Sequence, residues 1–95
     1  MTIRQTICEA IRTRHRLSFD YGGSRRVVDP YILGRDTDGR LLLSAVQVSG
    51  GSGAGFRTFE LAGLDALNIT AQTFFSNDPR YNPRDRLFAE VLCRI

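Results

Sequence analysis

In the stretch FRTFELA, residues 56–62, apolar and polar residues alternate, and one arginine falls on the apolar side. Successive side chains of a strand point to opposite faces, so Phe59 and Leu61 face a core and Arg57 faces the same way, one step nearer the strand end. A guanidinium aligned with core residues is costly to bury alone. Arg57 is therefore expected at the mouth of the structure, paired with a carboxylate, or holding a ligand. The ligand chemistry that suits it is anionic, because a planar fork of N–H donors matches phosphate and carboxylate oxygens. All thirteen basic residues are arginine and none is lysine. A GC-rich coding bias explains that composition as well as function does, so it gives weak support. The net charge of +3 permits anionic partners without requiring them.

The other residue types that carry chemistry are sparse. His15 is the single histidine, with no second histidine or acidic cluster beside it in the sequence. No Ser-His-Asp or Cys-His spacing is present, and Asp36 and Asp38 sit among turn-formers, so the chain is expected to be non-enzymatic and to carry no metal or cofactor. Residues 49–55, SGGSGAG, superficially resemble a phosphate-cradling loop and are expected to be a flexible linker within the domain. The Walker pattern needs Gly-Lys-Ser/Thr opening a helix, whereas here a strand pattern follows and lysine is lacking. Cys8 and Cys93 match no metal spacing, and each lies in an apolar pattern. Buried free thiols are expected, with a disulfide as the alternative that the lack of an export signal disfavours. The N-terminus is charged too early for a secretory segment, and no apolar run approaches the ~20 residues that span a bilayer. A cytoplasmic chain with no membrane partner is expected.

The elements that must position these residues follow from periodicity. Ninety-five residues make a single domain, 1–95. Thr2 and Gln5 form a capping box, and Ile3, Ile7, Ala10 and Ile11 fall on one stripe, so a helix is predicted over about 3–13. Arg12, Arg14 and Arg16 suit its C-terminal end. LSFDY, residues 17–21, alternates as a first strand. Residues 25–34 and 40–48 read as a hairpin turned at Asp38-Gly39, with Pro30 confined to an edge, bend or bulge. Leu41-Leu42-Leu43 is apolar on both faces, which needs a cover that the helix could supply. Residues 64–72 give strand five, with Leu67, Ile69 and Ala71 inward. In the tail, Asn82 and Pro83 predict a short helix over about 83–89, and Val91, Cys93 and Ile95 predict a closing strand. The fold class is mainly β with an N-terminal helix: a small SH3/Sm-like five-stranded barrel over 16–72, a leading helix over 1–14, and an ordered extension over 73–95.

Arg26-Val-Val-Asp-Pro30 followed by Arg57-Thr-Phe59-Glu-Leu61, with Ala10-Ile11, Phe19-Asp-Tyr21, Leu33, Gly39 and Leu43-Ser-Ala45 in order, resembles a WYL domain over roughly residues 7–72. The naming Trp-Tyr-Leu signature corresponds to Leu41-Leu42-Leu43. Gly63 stands where the family usually has a second arginine, and Glu60 where it often has a base. The resemblance implies a solitary regulatory sensor in transcriptional or defence-related control, binding a nucleotide or single-stranded nucleic acid. It implies Arg26 and Arg57 as anion-binding forks, with Tyr21 and Tyr31 as stacking faces. Against that, Arg26 could pair with Asp29 or Asp20, and both tyrosines suit a core edge. The rival implication is a protein–protein or homodimerisation module with a decayed pocket, serving a separate DNA-binding protein.

Overall fold

The computed structural model describes residues 1–51 and 53–95. The helix α1, Ile3–Thr13, opens on the expected capping box: the Thr2 side chain accepts from the Gln5 amide and the Gln5 side chain accepts from the Thr2 amide. It ends at Arg14, which adopts φ 57° and donates from Nη1 to the Ile11 carbonyl at 2.6 Å. The cationic end of the helix thus adds a charged donor to a last-turn carbonyl that the Arg14 amide also reaches, at 3.3 Å.

Among the described residues six strands follow: β1 His15–Tyr21, β2 Ser24–Arg35, β3 Leu41–Ser49, β4 Gly55–Glu60, β5 Asp65–Thr73 and β6 Glu90–Arg94. They form one antiparallel sheet in the order β4-β3-β2-β1-β5, with β6 added to β2. The β2–β3 turn is organised by Asp36, whose Oδ1 accepts from the Asp38 and Arg40 amides, both at 2.9 Å. Gly39 takes φ +81° there, the left-handed position that the Asp-Gly pair predicts. Pro30 sits at a register shift between Pro30 and Ile32 in the β2–β3 ladder. On the other side of β2, pairing with β1 stops at Val28 and pairing with β6 starts at Ile32. Its missing N–H therefore falls in a gap where no ladder partner waits.

Four expectations are corrected. The sheet is not closed: β4 and β5 end its main path, and among the described residues no ladder joins them. Backbone donors at that junction are spent locally. The Glu60 amide donates to Tyr21 Oη at 3.2 Å, and the Leu64 amide closes a 3-10 turn, Leu61–Gly63. The helix expected over 83–89 is instead a pair of turns, because the Asn82 and Asp85 side chains accept from the Arg84 and Leu87 amides, both at 3.0 Å. Such side chains compete with helix formation by offering the backbone a local acceptor. Ala71 is exposed, since β5 carries extra residues between the pairs Leu17↔Ile69 and His15↔Thr73 and the inward period breaks there. Lastly, Cys8 and Cys93 are not free thiols: a disulfide joins α1 to β6 across 85 residues of chain, with the Cα atoms 5.8 Å apart.

The sheet carries an apolar cluster on each side. On the helix side, Ile7, Ala10 and Ile11 pack with Phe19, Val28, Leu33, Leu43 and Phe59. On the other, Tyr31, Ile32 and Leu42 pack with Phe74 and Phe88 from the tail. The tail, rather than the helix, therefore covers the outer face of β3. Each fully buried Phe or Ile contributes about 1.5–3 kcal/mol of transfer free energy, so neither side can be left open. Gly34 lets the tail close: a Cβ there would strike the Glu90 carbonyl and the Phe88 ring. The linker expected over 49–55 includes Ser52, which lies outside the described residues. No helix is long and apolar enough to cross a membrane among the described residues.

Candidate functional site

Arg57 is opposite Ala45 in the β3–β4 ladder, in line with the pair Leu43↔Phe59 that enters the helix-side core. It escapes burial by folding back along its own strand. Nη1 donates to the Phe56 carbonyl at 3.0 Å, and the guanidinium is half-buried with no carboxylate partner among the described residues. Gly55 permits the fold-back, since a Cβ there would lie 3.3 Å from Arg57 Nη1.

The guanidinium lines a cavity of about 260 Å³ between β3, β4 and the tail. Ile32 and Phe56 give it an apolar floor, Ser44 and Thr58 offer hydroxyls, and the tail supplies Arg80, Tyr81, Asn82 and Asp85. The tail is shaped for this by short-range bonds. Asp78 Oδ1 accepts from the Arg80 amide at 2.9 Å, and its carboxylate takes the Arg80 guanidinium through Oδ1 at 3.0 Å and Oδ2 at 2.8 Å. The hydrogen bonds from Arg80 hold the Asp78 carboxyl below its usual range. Arg80 also lies 5.7 Å from the Phe56 ring centroid. Its charge is already matched, whereas Arg57 has no carboxylate within ion-pair distance among the described residues, Asp85 being on the cavity wall but not paired with it.

Tyr31 is 1% exposed, with ring centroids of Phe56 at 5.3 Å and Tyr81 at 4.9 Å. Its hydroxyl accepts from the Asp78 amide at 3.3 Å, and burial pushes its phenol pKa up. Tyr31 thus supports the cavity from beneath, without a free face for a base. Tyr81 is half-buried on the wall itself and donates to the Ile95 carbonyl at 3.0 Å. Burial pushes its pKa up as well.

Arg26 lies elsewhere. Its Nε donates to Ser24 Oγ at 3.0 Å, Nη1 to Gln47 Oε1 at 2.9 Å, and Nη2 to the Tyr21 carbonyl at 3.1 Å. The guanidinium is 5.8 Å from the Tyr21 ring centroid. Gln47, wholly buried, relays the contact by donating from Nε2 to the Gly50 carbonyl at 2.7 Å and to the Gly53 carbonyl. Neither carboxylate considered for Arg26 is its partner: Asp29 pairs with Arg16 at 2.9 Å and Asp20 with Arg25 at 3.2 Å. Tyr21 stands edge-on to Phe59 at 5.1 Å, and Gly63 leaves room for its ring, since a Cβ there would lie 2.9 Å from it. The structure therefore joins Arg26 with Tyr21 and sets Arg57 in a cavity whose Phe56 and Tyr81 pack on Tyr31, so the four expected residues fall in two places. Arg80 and Asp85 were invisible to sequence reasoning as site residues. Their only signal is the pair of turns, Asn-Asp-Pro and Asn-Pro, that brackets Arg80 and Tyr81. No family model matches this chain, and no curated protein or solved structure matches it either.

Proposed function

We propose that this chain is a non-enzymatic sensor domain that takes a small anionic group at Arg57. The observation that carries the reading is a half-buried guanidinium with no ion-pair partner among the described residues, lining a cavity that also offers two hydroxyls and an aromatic wall, with Asp85 as its one carboxylate. Size narrows the ligand. Sites that enclose a drug-sized molecule run from about 300 to 1,000 Å³, so about 260 Å³ holds a phosphoryl or carboxylate group with a small body. A nucleotide or a single strand would enter by one phosphate, with its base lying outward along Tyr81. The WYL-like resemblance supports this chemistry, and a mainly β antiparallel sheet in the order β4-β3-β2-β1-β5 behind an N-terminal helix is compatible with it. A cytoplasmic regulator, working with a separate DNA-binding protein, is the setting that fits.

The test is fluorescence anisotropy with labelled single-stranded DNA, RNA and mononucleotides over a salt series. Affinity is expected to fall as salt rises, through counterion release and screening. Arg57→Ala is expected to weaken binding about tenfold or more, the loss of one charge-assisted contact of about 1.5–3 kcal/mol. Equal binding by the wild type and the variant overturns the reading.

A second reading has its own observation: Phe75 is 88% exposed beside the buried Phe74, and Leu87 and Val91 are 39% and 38% exposed on the same tail. These would serve a protein partner or a second copy. Light scattering of the wild type against Phe75→Ser distinguishes the two, since only a docking role links Phe75 to mass in solution.

A further inference from the structure

We infer that the Cys8–Cys93 disulfide is a redox latch on the tail that walls the Arg57 cavity, so that a dithiol reductant loosens the anion site. The inference rests on the reading of that cavity as an anion site.

The two ends of the tail are held differently. Its beginning is fixed by burial, with Phe74 in the outer cluster and the Asp78 amide on Tyr31 Oη. Beyond Phe88, which is buried in the same outer cluster, its end is β6, a five-residue strand that pairs with β2 over Ile32–Arg35, half-buries Leu92 and Cys93 and exposes Val91. Short edge strands with few buried side chains open at low free energy, so β6 depends on its covalent tie to α1. The segment between these ends supplies Arg80, Tyr81, Asn82 and Asp85 to the cavity. A chain of contacts links latch and wall: Tyr81 Oη donates to the Ile95 carbonyl at 3.0 Å, and the Ile95 amide donates to the Tyr31 carbonyl at 2.9 Å. When β6 leaves β2, Tyr81 loses the partner that fixes it.

The latch is also reachable. Cys8 is half-buried and lines two shallow surface depressions, one with Thr2, Arg4 and Gln5 and the other with Glu9 and Arg12. Arg4 has no carboxylate partner among the described residues and would attract an approaching thiolate. In the step itself, one thiolate of the reductant attacks a sulfur of the pair, forming a mixed disulfide and expelling the other cysteine as thiolate. The second thiol of the reductant then displaces the remaining cysteine. Two electrons and two protons pass to Cys8 and Cys93, the bond between them breaks, and a disulfide forms in the reductant.

Loss of the latch lowers the fraction of molecules with a formed wall, and apparent affinity falls by that fraction. A tail seated one-tenth of the time gives about a tenfold loss. The experiment compares the full chain oxidised and after dithiothreitol, with thiols counted by alkylation and mass. It reads amide exchange and calorimetric binding of inorganic pyrophosphate. On reduction, peptides within 78–95 are expected to exchange about tenfold faster or more, those of β1, β3 and β2 before Ile32 to stay protected, and pyrophosphate to bind about tenfold more weakly. Cys8→Ser and Cys93→Ser should behave as the reduced chain without reductant.

Unchanged tail protection overturns the latch. So does loss of protection throughout β1–β3, which makes the bond a general staple, and so does a loosened tail with unchanged affinity. An oxidised chain that ignores pyrophosphate, with a tail that still responds to reduction, overturns the anion reading and leaves the tail latch supported.

Discussion

Arg26 and Arg57 are the same residue type, each beside a glycine-bearing connection, and they do opposite things. At the loop end, Arg26 spends three donors on Ser24, Gln47 and the Tyr21 carbonyl, and covers the Tyr21 ring. At the tail end, Arg57 makes one side-chain bond among the described residues, to its neighbour's carbonyl, and lines a cavity. A guanidinium satisfied by fixed neutral acceptors is part of the scaffold. One held in place with donors left over is available to a ligand. Position in a strand does not separate these cases, because the surrounding loop decides how many acceptors arrive.

The comparison breaks most readily at the loop end. Gly50 has φ +91°, and a Cβ there would run into the Arg25 carbonyl. Gly50→Ala must displace the loop from the Gln47 amide, and is expected to cost about 2–4 kcal/mol in urea unfolding, from left-handed strain plus the clash. Next, Gln47→Leu leaves Arg26 and two loop carbonyls without their partner and is expected to cost about 1–3 kcal/mol. Arg26→Ala should cost less, and the double variant should show coupling above about 0.5 kcal/mol, since the two side chains are directly bonded. Arg57→Ala, by contrast, should change stability by about 0.5 kcal/mol or less. Equal destabilisation by Arg57→Ala and Gln47→Leu would erase the distinction between scaffold and site.

The same contrast explains what could be read from the sequence. The helix, the first five strands and the β2–β3 turn follow from local periodicity and turn chemistry, and they agree with the structure to within a few residues. Pro30 also found its bulge, because the physics of a missing donor is local. In the tail only the closing strand read through, since the alternation of Val91, Cys93 and Ile95 marks β6; the rest did not. Its turns depend on Asn82 and Asp85 capturing their own downstream amides, and its position depends on Phe74 and Phe88 reaching the far face of β2 and β3. The disulfide was equally hidden: Cys93 meets Cys8 only because β6 pairs with the end of β2 near α1. Half of the site shared that fate. Arg57 stood out by an alternation that put a charge among core positions, whereas Arg80, Tyr81 and Asp85 carry no pattern until the tail is folded.

The smallest expected effect is one of pH, and it separates the two ends by sign and place. Arg80 is held by Asp78, whose folded pKa is depressed by the Arg80 hydrogen bonds. A depressed carboxyl contributes stability that is fully present above the ordinary carboxylate pKa of about 4 and is lost as pH falls through the folded value. Protonation of Asp78 therefore frees Arg80 at the cavity wall, while the acceptors around Arg26 are a hydroxyl, an amide and a carbonyl that do not titrate in acid. In an acid titration followed by arginine side-chain NMR, the Arg80 Nε–Hε signal should move below about pH 4, and the Arg26 signal should stay until the fold is lost. Asp78→Asn should abolish the Arg80 movement and leave Arg26 as it was. If Arg26 moves with Arg80, the loop end is tied to the tail and the two guanidiniums are not independent; if Arg80 stays still, Asp78 is not what holds it.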